Sequence, residues 1–191
     1  MIRSGRREEA GPGVPAEGGH KMHGRANVPG SKAHRGDGYD HIYAAVDDRS
    51  RWAYVEVHAD QKGPTCAGFL RRTAEHFASV GVKIEAVMTY RAMNYVVPKD
   101  FSKDFAGALG SLDAQHLVTR PYRPQTNGKV ERFNRTMLEE WAYVKLSRSN
   151  GARLNALLRW LDTYNHRRPH TALGGLPAGL AAENYVSGNY I

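Results

Sequence analysis

The sequence predicts an α/β fold in which a sheet lies between layers of helices. Short apolar runs with the composition of strands alternate along the chain with amphipathic helical segments, and this order is typical of such folds. Apolar residues make up 41% of the 191 residues, which is ordinary for a globular protein of one domain with appendages. We expect an arm over residues 1–38, a core domain over 39–185 and a tail over 186–191.

The predicted arm contains many glycines, prolines and charged side chains and shows no apolar period. We therefore expect residues 1–38 to be disordered or loosely ordered. His20, His23, His34 and His41 invite a metal-binding interpretation, but their spacing matches no compact ligand motif. We interpret them as solvated side chains.

The ordered domain is predicted to begin near Tyr39 with a hairpin. "YDHIYAAVDD" is an apolar run that ends in charges. "RWAYVEV" alternates between two faces, with Ala53, Val55 and Val57 on one of them. Because the intervening "DDRS" has the composition of a turn, the two strands are expected to pair.

A helix is predicted after the hairpin. "GPTCAGFLRRTAEHFASVGV" carries apolar side chains at helical spacing, Pro64 suits a first helical turn, and Gly81 suits a C-terminal stop. Cys66 is the only cysteine, so no intramolecular disulfide can form, and it is most simply a core thiol. The predicted buried positions of this helix are Cys66, Phe69, Leu70, Ala74 and Phe77.

Strands and helices continue to alternate in the rest of the domain. "VKIEAVMTY" predicts a buried strand, "SKDFAGALGSLDA" a short helix that begins at Ser102, and "QHLVTR" a short strand. A long helix is expected to begin near Thr126 or Asn127, and "ARLNALLRWLDTYN" predicts a further amphipathic helix. The apolar stripes of these two helices are predicted at Val130, Phe133, Met137, Trp141 and Val144, and at Leu154, Leu157, Leu158, Leu161 and Tyr164.

The charge of the chain favours a polyanionic partner. Lys and Arg number 27 against 19 Asp and Glu, which gives a formal net charge of +8 and a pI near 9.7. Excess positive charge favours nucleic acid, and the alternative is a soluble protein that is simply basic. Since there is neither a long apolar run nor an apolar secretory signal, we expect a cytoplasmic protein that does not contact membranes.

Residues 120–136, "RPYRPQTNGKVERFNRT", concentrate positive charge around a single acid, Glu131. The cations are Arg120, Arg123, Lys129, Arg132 and Arg135. On a helix, Asn127, Asn134 and Arg135 share the face of Glu131, which lies at the edge of the apolar stripe. One interpretation is a surface glutamate paired with Arg135 or Lys129, an interaction worth only about 0.2–0.5 kcal/mol.

Two motifs alter the balance between these interpretations. "YRPQTNGKVERFN" and "YNHRRPHTALGGLPA" together resemble the C-terminal half of the integrase-like catalytic core of DDE transposases from bacterial insertion sequences. "GYDHIYAAVDDRSRWAYVEV" resembles the second and third strands of the same core, so the resemblance covers roughly residues 17–180. It implies a ribonuclease H-like fold with a mixed sheet, DNA as substrate, and phosphodiester strand transfer.

The resemblance also implies a metal site. In that family three carboxylates hold two divalent cations, Mg²⁺ by preference, which clamp the attacking and leaving oxygens of a phosphodiester. Glu131 matches the third acid, so it is the predicted catalytic and metal-binding residue. The predicted DNA-binding residues around it are Arg120, Arg123, Gln125, Asn127, Lys129, Arg132 and Arg135.

The sequence departs from the family pattern at the other two acids. In "VMTYRAMNY", Tyr90 stands where the second acid is expected, and a phenol is a poor Mg²⁺ ligand at neutral pH. Upstream, "SGRREEAGPG" offers no apolar strand with an aspartate, so the first central strand of the sheet is expected to be lacking. Asp47 and Asp48 match the hairpin turn, and we interpret them as turn residues.

One acid of three predicts a truncated or degenerate transposase core whose Mg²⁺ binding and catalysis are lost or weak. The alternative is a non-enzymatic DNA-binding protein that regulates or poisons an intact transposase. The expected partners are DNA and either a second copy of this chain or an intact transposase.

Overall fold

A computed structural model of the chain describes residues 2–3, 22–23, 39–60, 62–89, 99–118, 128–142, 144, 147 and 149–187. The strands are β1 Ile2–Arg3, β2 Met22–His23, β3 Tyr39–Val46, β4 Ala53–His58, β5 Ala86–Thr89 and β6 Gln115–Val118. The helices are α1 Gly63–Ala78, α2 Lys99–Ser111, α3 Gly128–Met137, α4 Asn150–His166 and α5 Ala178–Ser187. A π-helical turn, Leu138–Ala142, continues α3, and a 3₁₀ turn, Thr171–Leu173, lies between α4 and α5.

The strands form two small sheets. In the first, β2, β3 and β4 lie side by side, and β3 and β4 pair antiparallel with Val46 opposite Ala53, as the predicted hairpin requires. In the second, β1, β5 and β6 lie side by side, and β5 and β6 run parallel with Ala86 opposite Gln115. Among the described residues no hydrogen-bonded strand joins β3 to β5, where the first central strand is expected to be lacking.

β3 and β5 each pair with a short strand that the sequence did not predict. β1 pairs antiparallel with β5, and β2 pairs antiparallel with β3, although residues 1–38 were expected to be without regular structure. The physical reason is that an exposed strand edge presents free backbone donors and acceptors, which pair with an extended segment that reaches them. Neither strand supplies the long apolar strand expected at the centre of the sheet, since each has only two residues.

Helices cover both faces of the β3–β4 hairpin. On one face Tyr43 and Ala45 pack with α1 and α2, and the same cluster includes Val87 of β5, so this helical layer contacts both sheets. On the other face Ala44 and Val46 pack with α3 and α4. Successive side chains of β3 thus alternate between two buried faces. A continuous apolar run is typical of a strand that is buried on both sides. Cys66 lies in the first cluster as a free, buried thiol, as predicted.

Two helices differ from their prediction in detail. α2 begins at Lys99, three residues before the expected Ser102, and Val144 lies beyond the π-helical turn with 61% of its surface exposed. Leu154 and Leu158 of α4, expected in the apolar stripe, are also exposed. Leu157, Leu161 and Tyr164 are buried as predicted, and Arg153 and Asn165 complete the buried face of α4.

Asn165, which is 2% exposed, links α4 to the hairpin. Ala53 of the outer strand β4 donates its N–H to Asn165 Oδ1 at 2.9 Å, and Asn165 Nδ2 donates to the Ala53 carbonyl at 2.8 Å. The side-chain amide thus bonds the strand edge as a peptide group of a neighbouring strand would.

No helix in the described part of the chain is both long and apolar enough to cross a membrane.

We expect Asn165→Ala to lower the free energy of unfolding by about 1–3 kcal/mol, because it leaves the buried Ala53 N–H without its partner and removes one donor from the Ala53 carbonyl. Urea denaturation followed by circular dichroism measures this. Asn155→Ala, on the exposed side of the same helix, is the matched control and should be near neutral. Equal stability of Asn165→Ala and the parent chain would show that water replaces the amide at no cost.

Candidate functional site

A cleft of about 630 Å³ opens where three parts of the chain meet. They are the loop of the β3–β4 hairpin, the first two turns of α3, and the end of α4 with the segment that follows it. Phe133 and Tyr164, both buried, lie at its base. The acidic, basic and histidine side chains that line it are Asp48, Arg51, Lys129, Arg132, Arg168 and His170.

The hairpin loop is shaped by Asp47, which is fully buried. Its Oδ2 accepts hydrogen bonds from the Ser50 hydroxyl and the Ser50 N–H, both at 2.7 Å, and from the Arg49 N–H at 3.2 Å. Burial, which opposes ionisation, raises the pKa of this carboxyl above its usual value. The predicted turn is therefore confirmed, and Asp47 serves the loop itself.

Arg51 closes that loop beside the cleft. Its backbone φ of 64° lies in the left-handed region, and the Asp47 N–H then donates to the Trp52 carbonyl at 2.8 Å. Arg51 Nη1 lies 3.8 Å from Asp48 Oδ1 and also donates to the Asp48 carbonyl. The side chain is consequently held against its own loop at the rim of the cleft.

α3 presents different side chains to the core, the cleft and the solvent. Val130, Phe133 and Met137 are buried against the hairpin, as predicted. Lys129 and Arg132, three residues apart, share one face of the helix and line the cleft, because residues at that spacing are neighbours on a helix.

Glu131 points away from this arrangement. It is exposed, it is absent from the cleft lining, and it forms no hydrogen bond or ion pair with another described residue. The expected pairing of Glu131 with Lys129 or Arg135 is wrong, because each cation has another acid within reach. Lys129 forms an ion pair with Asp48, and Arg135 pairs with Glu139 at 2.9 Å on the solvent side of the helix.

The segment after α4 builds the opposite wall. The Tyr164 ring contacts the rings of Phe133 and His170 edge-on, each at a centroid distance of 4.9 Å. His170 Nε2 lies 3.3 Å from the Tyr164 carbonyl, and Arg168 forms an ion pair with Glu140 of the π-helical turn. Glycines 174 and 175 both adopt positive φ, which lets the chain reverse towards α5.

His170 is biased towards its neutral form. Burial lowers its pKa below the ordinary histidine value, and the positive charges of Arg168 and Arg51 lower it further, whereas the hydrogen bond to the Tyr164 carbonyl opposes them. Among the described residues, the cleft holds four permanent cations, those of Arg51, Lys129, Arg132 and Arg168, and one carboxylate, that of Asp48. Arg132 is the member of this set that forms no ion pair with the described residues.

Comparison with known proteins agrees with this architecture. The family model described as "Integrase core domain" matches residues 112–177, which include α3, α4 and the wall of the cleft that follows α4. A protein described as a transposase for insertion sequence element IS5376 of Geobacillus stearothermophilus is 29% identical over 148 residues. Over these residues the chain is similar to integrase-like transposases.

A solved structure of the simian T-cell lymphotropic virus intasome, in complex with PP2A regulatory subunit B56 gamma, shares the fold of this integrase-like core. The TM-score is 0.58 at 19% sequence identity, over 95% of this chain and 59% of the other. The predicted ribonuclease H-like fold is thereby confirmed. The match to the IS5376 transposase covers 74% of this chain, and only 36% of that longer protein.

The described acids of this core do not fit a two-metal site. Among these residues there is no group of three or more His, Cys, Asp and Glu side chains that could hold a metal ion. Glu131 stands alone in solvent, Asp47 is buried within its loop, and Asp48 is neutralised by two cations. Tyr90, at the position expected for the second acid, lies outside the described residues.

The structure divides the predicted DNA-binding residues into groups. It brings Lys129 and Arg132 together in the cleft and places Arg135 outside it. The others, Arg120, Arg123, Gln125 and Asn127, lie outside the described residues. Sequence reasoning missed Arg51, Arg168 and His170; the motif "YNHRRPH" contains the last two, but no spacing rule places Arg51 opposite them.

We expect binding of a polyanion in the cleft to strengthen as the pH falls from about 7.5 to about 5.5, because a bound phosphate favours the imidazolium form of His170. Isothermal titration with a short DNA duplex at several pH values measures this. His170→Asn should remove most of the pH dependence. His116→Asn, whose histidine lies outside the cleft and also has a pKa lowered by burial, is the control and should keep it.

Proposed function

We propose that this chain is the DNA-holding integrase core of an insertion-sequence transposase and that its basic cleft binds the phosphate backbone. The observation that carries the proposal is the cleft itself, where Arg51, Lys129, Arg132 and Arg168 converge from three parts of the chain around one carboxylate. Guanidinium and ammonium groups form charge-assisted hydrogen bonds to phosphate oxygens. A DNA partner also accords with the overall charge of +8 and with a cytoplasmic location.

The cleft is suited to the DNA backbone more than to its bases. Its two large aromatic side chains, Phe133 and Tyr164, are 2% and 6% exposed, so they offer no open ring on which a base could stack. The exposed groups are cations, and phosphate contacts carry no sequence information directly. We therefore infer that binding has little sequence preference.

The same core is proposed to be impaired as a catalyst. Strand transfer in this family requires paired divalent cations, and the sequence carries a carboxylate, Glu131, at the position that matches the third acid but a phenol, Tyr90, at the position that matches the second. An isolated, exposed carboxylate holds Mg²⁺ weakly, because Mg²⁺ keeps most of its water unless several oxygen ligands converge.

A second candidate function follows from the contrast between the cleft and the acids. Four cations line the cleft, whereas the carboxylates of a two-metal site do not converge in the described residues. A chain of this kind is able to occupy DNA without cutting it. It would then act as a regulator or poison of an intact transposase, with that transposase or a second copy of this chain as partner.

Replacing Lys129, Arg132 and Arg135 together with Ala should weaken duplex binding and flatten its salt dependence. Single changes separate the cleft from the rest of the helix. Arg132→Ala should lower the magnitude of the slope of log K against log salt concentration by about 0.9, the value for one lost phosphate contact. Arg135→Ala, one turn away on the solvent side, should change it little. Fluorescence anisotropy with a labelled duplex measures both, and equal slopes for both variants would contradict the cleft assignment.

The purified chain should show no Mg²⁺- or Mn²⁺-dependent nicking or joining of insertion-sequence ends. A gel assay with labelled oligonucleotides tests this, with an intact relative as the positive control. Activity that disappears in Glu131→Ala would show that a working metal site exists and that the proposal of impaired catalysis is wrong.

A further inference from the structure

Among the described residues, Asp48 is the only carboxylate that lines the cleft, and two cations hold it there. One is Lys129 of α3, whose Nζ forms an ion pair with Asp48 Oδ1 and also lies 3.2 Å from the Asp48 carbonyl oxygen. The other is Arg51 of the same loop. Two of the four cations proposed to meet DNA are therefore shared with one internal acid.

The fold of the hairpin loop does not require the charge of Asp48. The neighbouring Asp47 accepts the three hydrogen bonds that shape the loop, from Ser50 and Arg49. The carboxylate of Asp48 faces the cleft, and its contacts with Lys129 and Arg51 are all to cationic donors. An asparagine at this position keeps the size of the side chain and the backbone carbonyl, removes the negative charge, and retains one side-chain oxygen as an acceptor.

A carboxylate and a phosphate present the same kind of anionic oxygen to a cation. An ammonium group that donates to Asp48 cannot donate the same protons to a DNA phosphate. The Lys129 side chain is 41% exposed, so its ion pair with Asp48 is open to exchange in water. Arg132 has no such acid among the described residues and is free to meet DNA first.

We propose that Asp48 is an intramolecular competitor of DNA phosphate, which holds Lys129 and Arg51 in the free protein and is displaced when DNA enters the cleft. The charge of Asp48 sets the affinity of the cleft for DNA. Arg132 binds phosphate first, and Lys129 and Arg51 bind it once Asp48 is displaced. This inference rests on the proposed function of the cleft as a DNA-binding site.

The test compares Asp48→Asn with the parent chain in binding a mixed-sequence DNA duplex, measured by fluorescence anisotropy over a range of salt concentrations. Affinity at low salt should rise by about three- to tenfold, and the salt slope should steepen by about one, as expected when an additional phosphate is neutralised. Glu75→Gln adds the same unit of charge on α1, on the opposite face of the hairpin, and should give a clearly smaller gain. Unchanged or weaker binding by Asp48→Asn would show a structural tether and overturn the proposal, as would an equal gain in Glu75→Gln.

A double-mutant cycle identifies the cation that Asp48 occupies. In a Lys129→Ala background the gain from Asp48→Asn should shrink, because the chief paired cation is gone. An undiminished gain would overturn the competitor mechanism. If Lys129→Ala and Arg132→Ala bind DNA as well as the parent chain does, the proposed function fails; if they bind weakly while Asp48→Asn gains nothing, only this inference fails. Thermal melts of each variant establish that it is folded.

Discussion

The arrangement of the cleft depends on one buried amide. β4 is an outer strand of its sheet, and there Asn165 bonds both the N–H and the carbonyl of Ala53. Burying those groups unpaired would cost more than the hydrogen bonds themselves contribute. The pairing therefore fixes the end of α4 against the hairpin. Arg168 and His170 follow within five residues, so they lie across the cleft from Arg51.

Because the sheet is interrupted, helices make the contacts that connect its two parts. The two sheets share no hydrogen-bonded strand among the described residues, yet α1 and α2 pack on both of them. Phe69, Phe77 and Val87 are fully buried in this shared cluster. Apolar burial is not directional, so a helical layer is able to join two sheets whose backbones do not pair. The opposite layer, α3 and α4, packs on the hairpin alone, and its rim forms the cleft.

Three acids with different surroundings have different physical roles in this core. Asp47 is buried and accepts hydrogen bonds that shape a loop, whereas its neighbour Asp48 is partly exposed and faces cations. Glu131 is in open water beside the cleft. Residue type and spacing do not distinguish these roles, because burial and the nearest charge decide what a carboxylate does. A basic surface with scattered acids is thus compatible with DNA binding, while a two-metal site needs the acids to converge.

The sequence by itself determined the order and type of the main elements from β3 to α4, because apolar period and turn composition are local properties. It also revealed the similarity to integrase cores, through "YRPQTNGKVERFN" and "YNHRRPHTALGGLPA". The apolar stripe of α4 predicted the burial of Leu157, Leu161 and Tyr164, but only the tertiary structure showed that Asn165 is buried beside them, because its partner lies on a distant strand edge. It likewise decided which cations share a cleft. Arg51 and Arg168 are 117 positions apart in the sequence, and Lys129 is 81 positions from Asp48, with which it pairs. No pattern along the chain could have predicted that these residues are neighbours.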